Sequence, residues 1–444
     1  MTELDELILR LRQTFPQGTA ELTIEQARSF VKEMNEFFYT NYEGIGFTSY
    51  DQNLEYFSDF HKYWESHHRE ILDIQIIRTQ CEKVADALHD VYIRTNGNAF
   101  ATVYDTFGLS KEEICKIRIL TANQDFRGSR DFKDLVNIYR SDNSIFDIQY
   151  IYSNPEDFIK SIGITGLSQN DKRIQYAKNI AKFFIDNHCE PYDIISQYCR
   201  DVVALKNAIT SLFAGYGNKK ADMLIRDMVI LGVWTNVVNF DAINVASDVN
   251  TIRVALRTGI LKTAIPLVSS FVDIFCYQYG YTDEMSARAW RVVWEIWKQK
   301  YPNESIESPC MLDYFIYNVV GRQFCKEILY IFHGDDCEHT FAWHSSRNKT
   351  CQVCYQQGTV GVKAHVVARK MPCLDDNGDI AIRNTQYVQS GMATPNFTAC
   401  PFKDICVNNQ TVFLTPPKSI SIEGQTGWRS AYARKGNGGG GLMA

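Results

Sequence analysis

The sequence supports neither a membrane span nor a secretion signal. No run of about 18 consecutive apolar residues, the length that a transmembrane helix needs, occurs in the chain. The N-terminus, Met1-Thr-Glu-Leu-Asp-Glu6, is acidic, whereas a signal peptide starts with basic residues. We therefore expect no membrane partner and a reducing compartment, in which the 13 cysteines bind metals or pack in the core.

The sequence also lacks an overall excess of positive charge. Its formal net charge is −6, which argues against a protein that coats nucleic acid over a long range. The charge is unevenly distributed, because residues 1–110 carry 9 basic and 18 acidic side chains, whereas residues 339–435 carry 11 basic and 5 acidic ones. A contact with phosphates is therefore expected to be local, in the C-terminal third and at a hairpin in the middle of the chain.

This hairpin is predicted at residues 205–228. A helical pattern of apolar residues stops at Gly215-Tyr-Gly217 and resumes at Asn218. Two glycines around one residue allow the positive φ angles of a tight turn. The second helix begins there with unpaired N–H groups and partial positive charge, which suit a phosphate. Because the helix dipole disfavours cations in this first turn, Lys219 and Lys220 are expected to face an anion.

The hairpin and the segments around it resemble the helix-hairpin-helix DNA glycosylases of the endonuclease III superfamily. That family has L-P-G-[VI]-G-x-K-[TS]-A at its hairpin, and residues 213–221 here read F-A-G-Y-G-N-K-K-A. The family's D-x4-R-V-x2-R is matched from Asp248 to Arg257. Weaker matches at residues 120–125, 158–180 and 320–325 keep the family's order, so the resemblance covers roughly residues 115–330.

The resemblance implies a mainly α, two-domain glycosylase fold with a Cys-rich, metal-binding C-terminal region. One domain is a helical barrel at residues 111–240, which contains the hairpin. The other combines an N-terminal helical extension with the chain from residue 241 onward, so that DNA lies across the cleft between them. The predicted segments of this second domain are 1–110 (N-terminal helices), 241–330 (aspartate segment and further helices), 331–430 (Cys-rich and basic) and 431–444 (flexible tail). The aromatic residues between positions 37 and 64 are expected to be packed core rather than a base-stacking surface.

The implied activity is excision of a damaged or modified base from double-stranded DNA, as in base excision repair, after the nucleotide has been flipped out of the duplex. Asp248 is expected to stabilise the developing oxocarbenium ion and to position the nucleophile. It also precedes a helical run, so it is expected to cap that helix. Asp241 is the second choice, because the connection from Lys219 to Asp248 is longer here than in the family.

We expect a monomer, in the cytoplasm and around the nucleoid if the source is bacterial.

Lys219 decides between two kinds of glycosylase. It lies where bifunctional members carry the lysine that attacks C1′ of the sugar and forms a Schiff base, which leads to strand cleavage by β-elimination. Alternatively, Lys219 and Lys220 both bind phosphate, and the enzyme is a monofunctional glycosylase for an unusual modified base. A catalytically silent DNA-binding module is the remaining alternative, although binding alone requires neither Asp248 nor Lys219.

Further DNA contacts are implied for the hairpin and for one segment before it. The amides of Gly215 and Gly217, with Lys220, are expected to bind the backbone. Gln124 lies where family members insert a side chain into the space left by the flipped nucleotide. A polar residue at the end of a helix is the alternative interpretation of Gln124.

The cysteines depart from the family's pattern. Family members bind a [4Fe–4S] cluster through C-x6-C-x2-C-x5-C, which this chain lacks as a contiguous motif. In one arrangement the cluster is bound by Cys325, Cys373, Cys400 and Cys406, while zinc is bound at finger-like spacing by Cys337, His339, Cys351 and Cys354. In another, Cys351 and Cys354 join Cys325 and one of the last cysteines in a single cluster. A third possibility is that all these thiols stay reduced without a metal.

Overall fold

The computed structural model describes residues 1–16, 18, 22–39, 48–55, 57–124, 131–164, 170–265, 279–325, 329–343, 348–370, 372–374, 380–382, 400–402, 404–407 and 418–422. This part of the chain is mainly helical, as the sequence predicts. None of its helices is both long and apolar enough to cross a membrane.

The helices begin where polar residues can cap them. Thr2 and Ser110, for example, each accept a hydrogen bond from the backbone N–H three residues later, which stabilises the first turn. The helices are α1 (Glu3–Thr14), α2 (Ile24–Tyr39), α3 (Ser58–Leu72), α4 (Arg78–Thr95), α5 (Lys111–Thr121), α6 (Phe132–Ser141), α7 (Ile148–Ser153), α8 (Pro155–Ser161), α9 (Asn170–Asp186), α10 (Ile194–Gln197), α11 (Val202–Ser211), α12 (Asn218–Ile230), α13 (Val249–Arg257), α14 (Tyr279–Lys300), α15 (Leu312–Tyr314), which continues as a π-helix (Phe315–Phe324), and α16 (Gln352–Gln356).

The strands are short and form small sheets. They are β1 (Thr48–Leu54), β2 (Gln75–Ile76), β3 (Leu261–Lys262), β4 (Leu329–Gly334), β5 (Thr340–Trp343), β6 (Ala364–Lys370), β7 (Pro372–Leu374), β8 (Ile380–Ile382) and β9 (Lys418–Ile422). Among the described strands, β4 pairs antiparallel with both β5 and β6, so this sheet has the order β5-β4-β6. The other pairs are β1 with β9 (parallel), β2 with β3 and β7 with β8 (both antiparallel).

The chain divides into two compact units. Among the described residues, the hairpin unit comprises those of 88–247 and 290–315, and the cysteine unit comprises those of 1–87, 248–289 and 316–422. The sequence predicted domain boundaries near residues 110 and 240, with 290–315 outside the barrel. The difference has a physical cause, because Phe100 packs against Trp297 and Phe315 at ring-centroid distances of 5.2 and 5.0 Å. Such a contact between distant residues leaves no periodic signal in the sequence.

The hairpin unit has one large apolar core. Buried side chains from α5 through α12 meet in it, and Trp234 and Ile243 from the connection after α12 join them. This connection is therefore packed against the core. Within this connection, an isolated bridge joins Asp201 to Val238, and a 3₁₀ turn follows at Phe240–Ala242.

The N-terminal helices of the cysteine unit pack through aromatic side chains. Phe15, Phe30, Phe57, Phe60 and Trp64 are fully buried. Phe30 and Phe60 stack with their ring centroids 3.9 Å apart. Phe57, Phe60 and Trp64 lie between positions 37 and 64. For these three residues, the expectation of a packed aromatic core is confirmed.

Candidate functional site

The turn between α11 and α12 requires glycine at position 215. Gly215 has a φ of +79°, which side chains of L-residues rarely allow. A Cβ atom there would also lie 2.6 Å from Cδ2 of Tyr176. The sequence predicted this turn from its two glycines, and the structure uses the left-handed conformation at the first of them.

Neither a positive φ angle nor a close neighbour requires glycine at position 217. Gly217 has a φ of −95°, and a Cβ atom built on it meets no atom within 4 Å among the described residues. It occupies the N-cap position of α12, yet it has no side chain with which to cap the helix. Gly217 and Asn218 are exposed, and no side chain at the N-cap hydrogen-bonds the first amides of α12. Lys219, in the first turn, is exposed beside them.

Two other hairpin residues point into the unit. The Tyr216 hydroxyl donates a hydrogen bond to the Ile119 carbonyl at 2.6 Å, and Lys220 Nζ donates one to the Asn123 carbonyl at 2.7 Å. Ile119 lies in the last turn of α5 and Asn123 in the 3₁₀ turn that follows it (Ala122–Gln124), where carbonyls carry partial negative charge. The sequence predicted Lys220 as a DNA contact, and the structure places its ammonium group on this helix end. The sequence did not predict this role of Tyr216, because the hydrogen bond joins residues that are far apart in the chain.

We expect Tyr216→Phe to lower the free energy of unfolding by about 1 kcal/mol, since it removes one buried hydrogen bond and keeps the ring. Urea denaturation followed by circular dichroism measures this change. Lys219→Gln is the matched control, because it alters an exposed side chain of the same hairpin. Equal stability of Tyr216→Phe and the wild type would contradict the anchoring role.

Gln124 is buried rather than exposed. Its side chain is 1% exposed, and Nε2 donates a hydrogen bond to the Arg173 carbonyl at 3.2 Å. Arg173 Nη1 returns one to the Gln124 carbonyl at 3.0 Å. Insertion into a duplex would require this side chain to leave Arg173, so that role stays a prediction.

In the cysteine unit, Asp248 caps α13. Its Oδ1 accepts a hydrogen bond from the Thr251 amide at 2.8 Å, and the Asp248 amide donates to Thr251 Oγ1 at 2.7 Å. Oδ2 accepts from Nδ2 of Asn250 at 3.1 Å. The predicted N-cap is confirmed, and the carboxylate is held in one orientation while remaining partly exposed. Asp241, the second choice, lies in the other unit on an exposed turn.

The two arginines after Asp248 contact Cys325. Nη1 of Arg257 lies 3.4 Å from the Cys325 sulfur, and Nη1 of Arg253 lies 3.5 Å from its carbonyl. Gly321, four residues earlier in the chain, lets the π-helix approach α13, because a Cβ atom there would lie 2.8 Å from Cβ of Asn250. The segments at residues 248–257 and 320–325, which the sequence analysis matched separately, are thus in contact.

Cys400 and Cys406 lie near the same arginine. The Val407 amide donates a hydrogen bond to the Arg257 carbonyl at 2.8 Å. Loss of water around the sulfur, with repulsion from Cys325, raises the pKa of Cys400 to about 12 and that of Cys406 to about 11. The charge of the Cys325 sulfur thus contributes to both pKa shifts. Cys373, the fourth predicted ligand, lies on β7, but its side chain is outside the described part of the chain.

The predicted set of Cys337, His339, Cys351 and Cys354 comes together as one cluster. Their ligand atoms all lie within 4.8 Å of one another, so they could hold a metal ion. The Cys337 and Cys351 sulfurs are 3.6 Å apart, and Nδ1 of His339 is 3.3 Å from the Cys354 sulfur and 3.8 Å from that of Cys351. The arrangement with Cys351 and Cys354 in a joint cluster with Cys325 does not account for these contacts.

Local structure explains why these four residues meet. Cys337 and His339 lie in the turn between β4 and β5, and Cys351 is the N-cap of α16. Gly334 at the end of β4 is essential for this turn, since a Cβ atom there would lie 2.1 Å from the Cys337 sulfur. Spacing predicted the ligands, whereas the need for Gly334 depends on the three-dimensional turn and was missed.

The chain matches no model of a known protein family, and no curated protein is significantly similar to it. The assignment of the candidate site therefore rests on the geometry of its residues alone. Lys219 belongs to the hairpin unit, and Asp248, with both groups of cysteines, belongs to the cysteine unit.

Proposed function

We propose that this chain is a helix-hairpin-helix DNA glycosylase that flips an altered base out of duplex DNA and cleaves its N-glycosidic bond. The main support is the hairpin itself. Gly217 leaves the N-terminal amides of α12 open although the fold does not need glycine there. A phosphate is the ligand that an open helix N-terminus with an adjacent exposed lysine suits best.

Asp248 is the proposed catalytic carboxylate. Cleavage of an N-glycosidic bond develops positive charge on the sugar, and a carboxylate beside the ring stabilises it. The Thr251 amide and the Asn250 side chain fix the Asp248 carboxylate without covering it completely. A carboxylate held in this way needs little reorganisation when the charge develops.

Zinc is the ion that we propose for Cys337, His339, Cys351 and Cys354. In a tetrahedral zinc site, two thiolate sulfurs lie about 3.8 Å apart, and a sulfur and a nitrogen about 3.6 Å apart. The corresponding distances here are 3.6 Å between sulfurs and 3.3 and 3.8 Å between nitrogen and sulfur. The thiolate and imidazole donors also exclude calcium and magnesium, which prefer oxygen. All four positions are filled by protein, as in a structural site.

A [4Fe–4S] cluster is proposed for Cys325, Cys400 and Cys406, with Cys373 as the fourth ligand. Thiolates are the usual ligands of such clusters, and the first three thiols lie near one another and near Arg257. The guanidinium groups of Arg253 and Arg257 would offset the negative charge of the cluster. Iron and acid-labile sulfide analysis of protein purified without oxygen tests this assignment.

We expect Lys219 to be the nucleophile of a bifunctional enzyme. Borohydride should then reduce an imine between its amine and C1′ and link the protein covalently to cleaved DNA. Lys219→Gln should lose this adduct, whereas Lys220→Gln should keep it, because the Lys220 ammonium group contacts the Asn123 carbonyl. The adduct is measured by denaturing gel electrophoresis.

The other outcomes of this experiment have distinct meanings. Base release without an adduct would make Lys219 a phosphate ligand and the enzyme monofunctional. Loss of the adduct only in Lys220→Gln would shift the alignment of the hairpin by one residue. Duplex binding without base release, on a panel of damaged and modified bases, would favour a catalytically silent DNA-binding module.

A further inference from the structure

The sheet β5-β4-β6 has two different faces. Phe332 and Ala364 belong to the apolar cluster that contains Cys351 and Cys354, so one face covers the metal-ligand cluster. Side chains alternate along a strand, and the next residues, His333 and His365, therefore project from the opposite face. His333 on β4 and His365 on β6 are direct partners in the antiparallel register.

Both histidines use Nδ1 for a hydrogen bond within the sheet. Nδ1–H of His365 donates to Oδ1 of Asp335 at 2.5 Å, and Nδ1 of His333 lies 3.2 Å from Oγ1 of Thr340. In the part of the chain that the structure describes, neither Nε2 atom has a hydrogen-bond partner. In the neutral form of His365 the carboxylate keeps the proton on Nδ1, which leaves the Nε2 lone pair to a ligand.

This pattern is the one found around metal-bound histidine. A histidine that binds a metal through one nitrogen usually donates its other N–H to a carboxylate, which orients the ring and increases its basicity. An exposed Asp–His pair has little value for stability, and His365 is 59% and Asp335 40% exposed. A second imidazole directly across the strand pair supplies the further donor that a site needs.

We propose that His333 and His365 form a second metal site, for a divalent transition-metal ion of the nickel, copper or zinc type, on the face of the sheet away from the cysteines. Two imidazoles on one ion have their ring centroids about 5 to 6 Å apart, given a metal–nitrogen distance of about 2.0 to 2.1 Å. The two centroids here are 6.2 Å apart, with ring planes at 78°. The observed centroid separation is thus within about 1 Å of the range for two imidazoles on one ion.

Two protein ligands leave the remaining coordination positions to water or to an oxygen of a bound molecule. The metal ion at this site can therefore exchange, unlike an ion bound by the four ligands on the other face of the sheet. Asp335 acts through His365 and is a positioning residue. This assignment stands independently of the proposed glycosylase function.

Calorimetric titration of the full-length protein with Ni²⁺, with its resident metals in place, tests the proposal. We expect saturable binding by the wild type that is lost in His333→Ala and in His365→Ala. Asp335→Asn should weaken binding by about 10- to 100-fold, because it removes the orienting carboxylate. His68→Ala is the matched control and should bind as the wild type does.

Elemental analysis of each variant shows whether the resident metals remain and thus whether the sheet is folded. If an alanine variant loses them, His365→Gln replaces it, since glutamine is closer to histidine in size and polarity. Ni²⁺ binding that is unchanged in the folded histidine variants would overturn the proposal. So would a wild-type protein that takes up no Ni²⁺, or a loss of binding in His68→Ala alone.

Discussion

Asp248→Asn should abolish base excision while the chain remains folded and still binds duplex DNA. Asparagine is as good an N-cap as aspartate, so the hydrogen bond from the Thr251 amide is kept. The negative charge that stabilises the oxocarbenium-like transition state is lost. We expect the barrier to rise by several kcal/mol, and each increase of about 1.4 kcal/mol lowers the rate tenfold.

Single-turnover kinetics on a cleavable duplex measures this effect, and circular dichroism with a DNA-binding titration separates it from unfolding. Asp241→Asn is the matched control, because its carboxylate is exposed on a turn of the hairpin unit. Wild-type rates are expected for it. An active Asp248→Asn together with an inactive Asp241→Asn would move the catalytic carboxylate to residue 241.

Gly334→Ala should prevent metal binding by Cys337, His339, Cys351 and Cys354. The new methyl group would lie 2.1 Å from the Cys337 sulfur, so the turn after β4 must change and the ligand is displaced. Binding of a structural zinc ion supplies about 10 kcal/mol or more to such a segment. We therefore expect the sheet β5-β4-β6 to unfold and to become sensitive to protease.

Zinc content by elemental analysis and the pattern of limited proteolysis measure the outcome. Gly358→Ala is the control within the same segment. Gly358 has a φ of +86°, and a Cβ atom on it meets no described atom within 4 Å. Its substitution should therefore cost about 1 to 2 kcal/mol of backbone strain and leave the metal in place. Stoichiometric zinc in Gly334→Ala would contradict the geometry of the cluster.

Local features of the molecule could be predicted from sequence because they depend on neighbouring residues. The tight turn at Gly215, the N-cap at Asp248 and the meeting of Cys337 with Cys354 all follow from spacing within short segments. The anchoring of Tyr216 on Ile119 and the need for Gly334 depend on contacts in three dimensions. Residues 88–110 and 290–315 belong to the hairpin unit also because of a contact between distant residues, in which Phe100 packs against Phe315.

The anchoring of the hairpin on α5 affects how quickly and how tightly a ligand can bind. Tyr216, Lys220 and the contact of Gly215 with Tyr176 keep the turn in one conformation before any ligand arrives. Immobilising a flexible side chain on binding costs about 0.5 to 1.5 kcal/mol, whereas the Tyr216 and Lys220 side chains already hold their hydrogen bonds. Association at this turn should therefore resemble the docking of two rigid surfaces, with affinity differences among ligands expressed mainly in their dissociation rates.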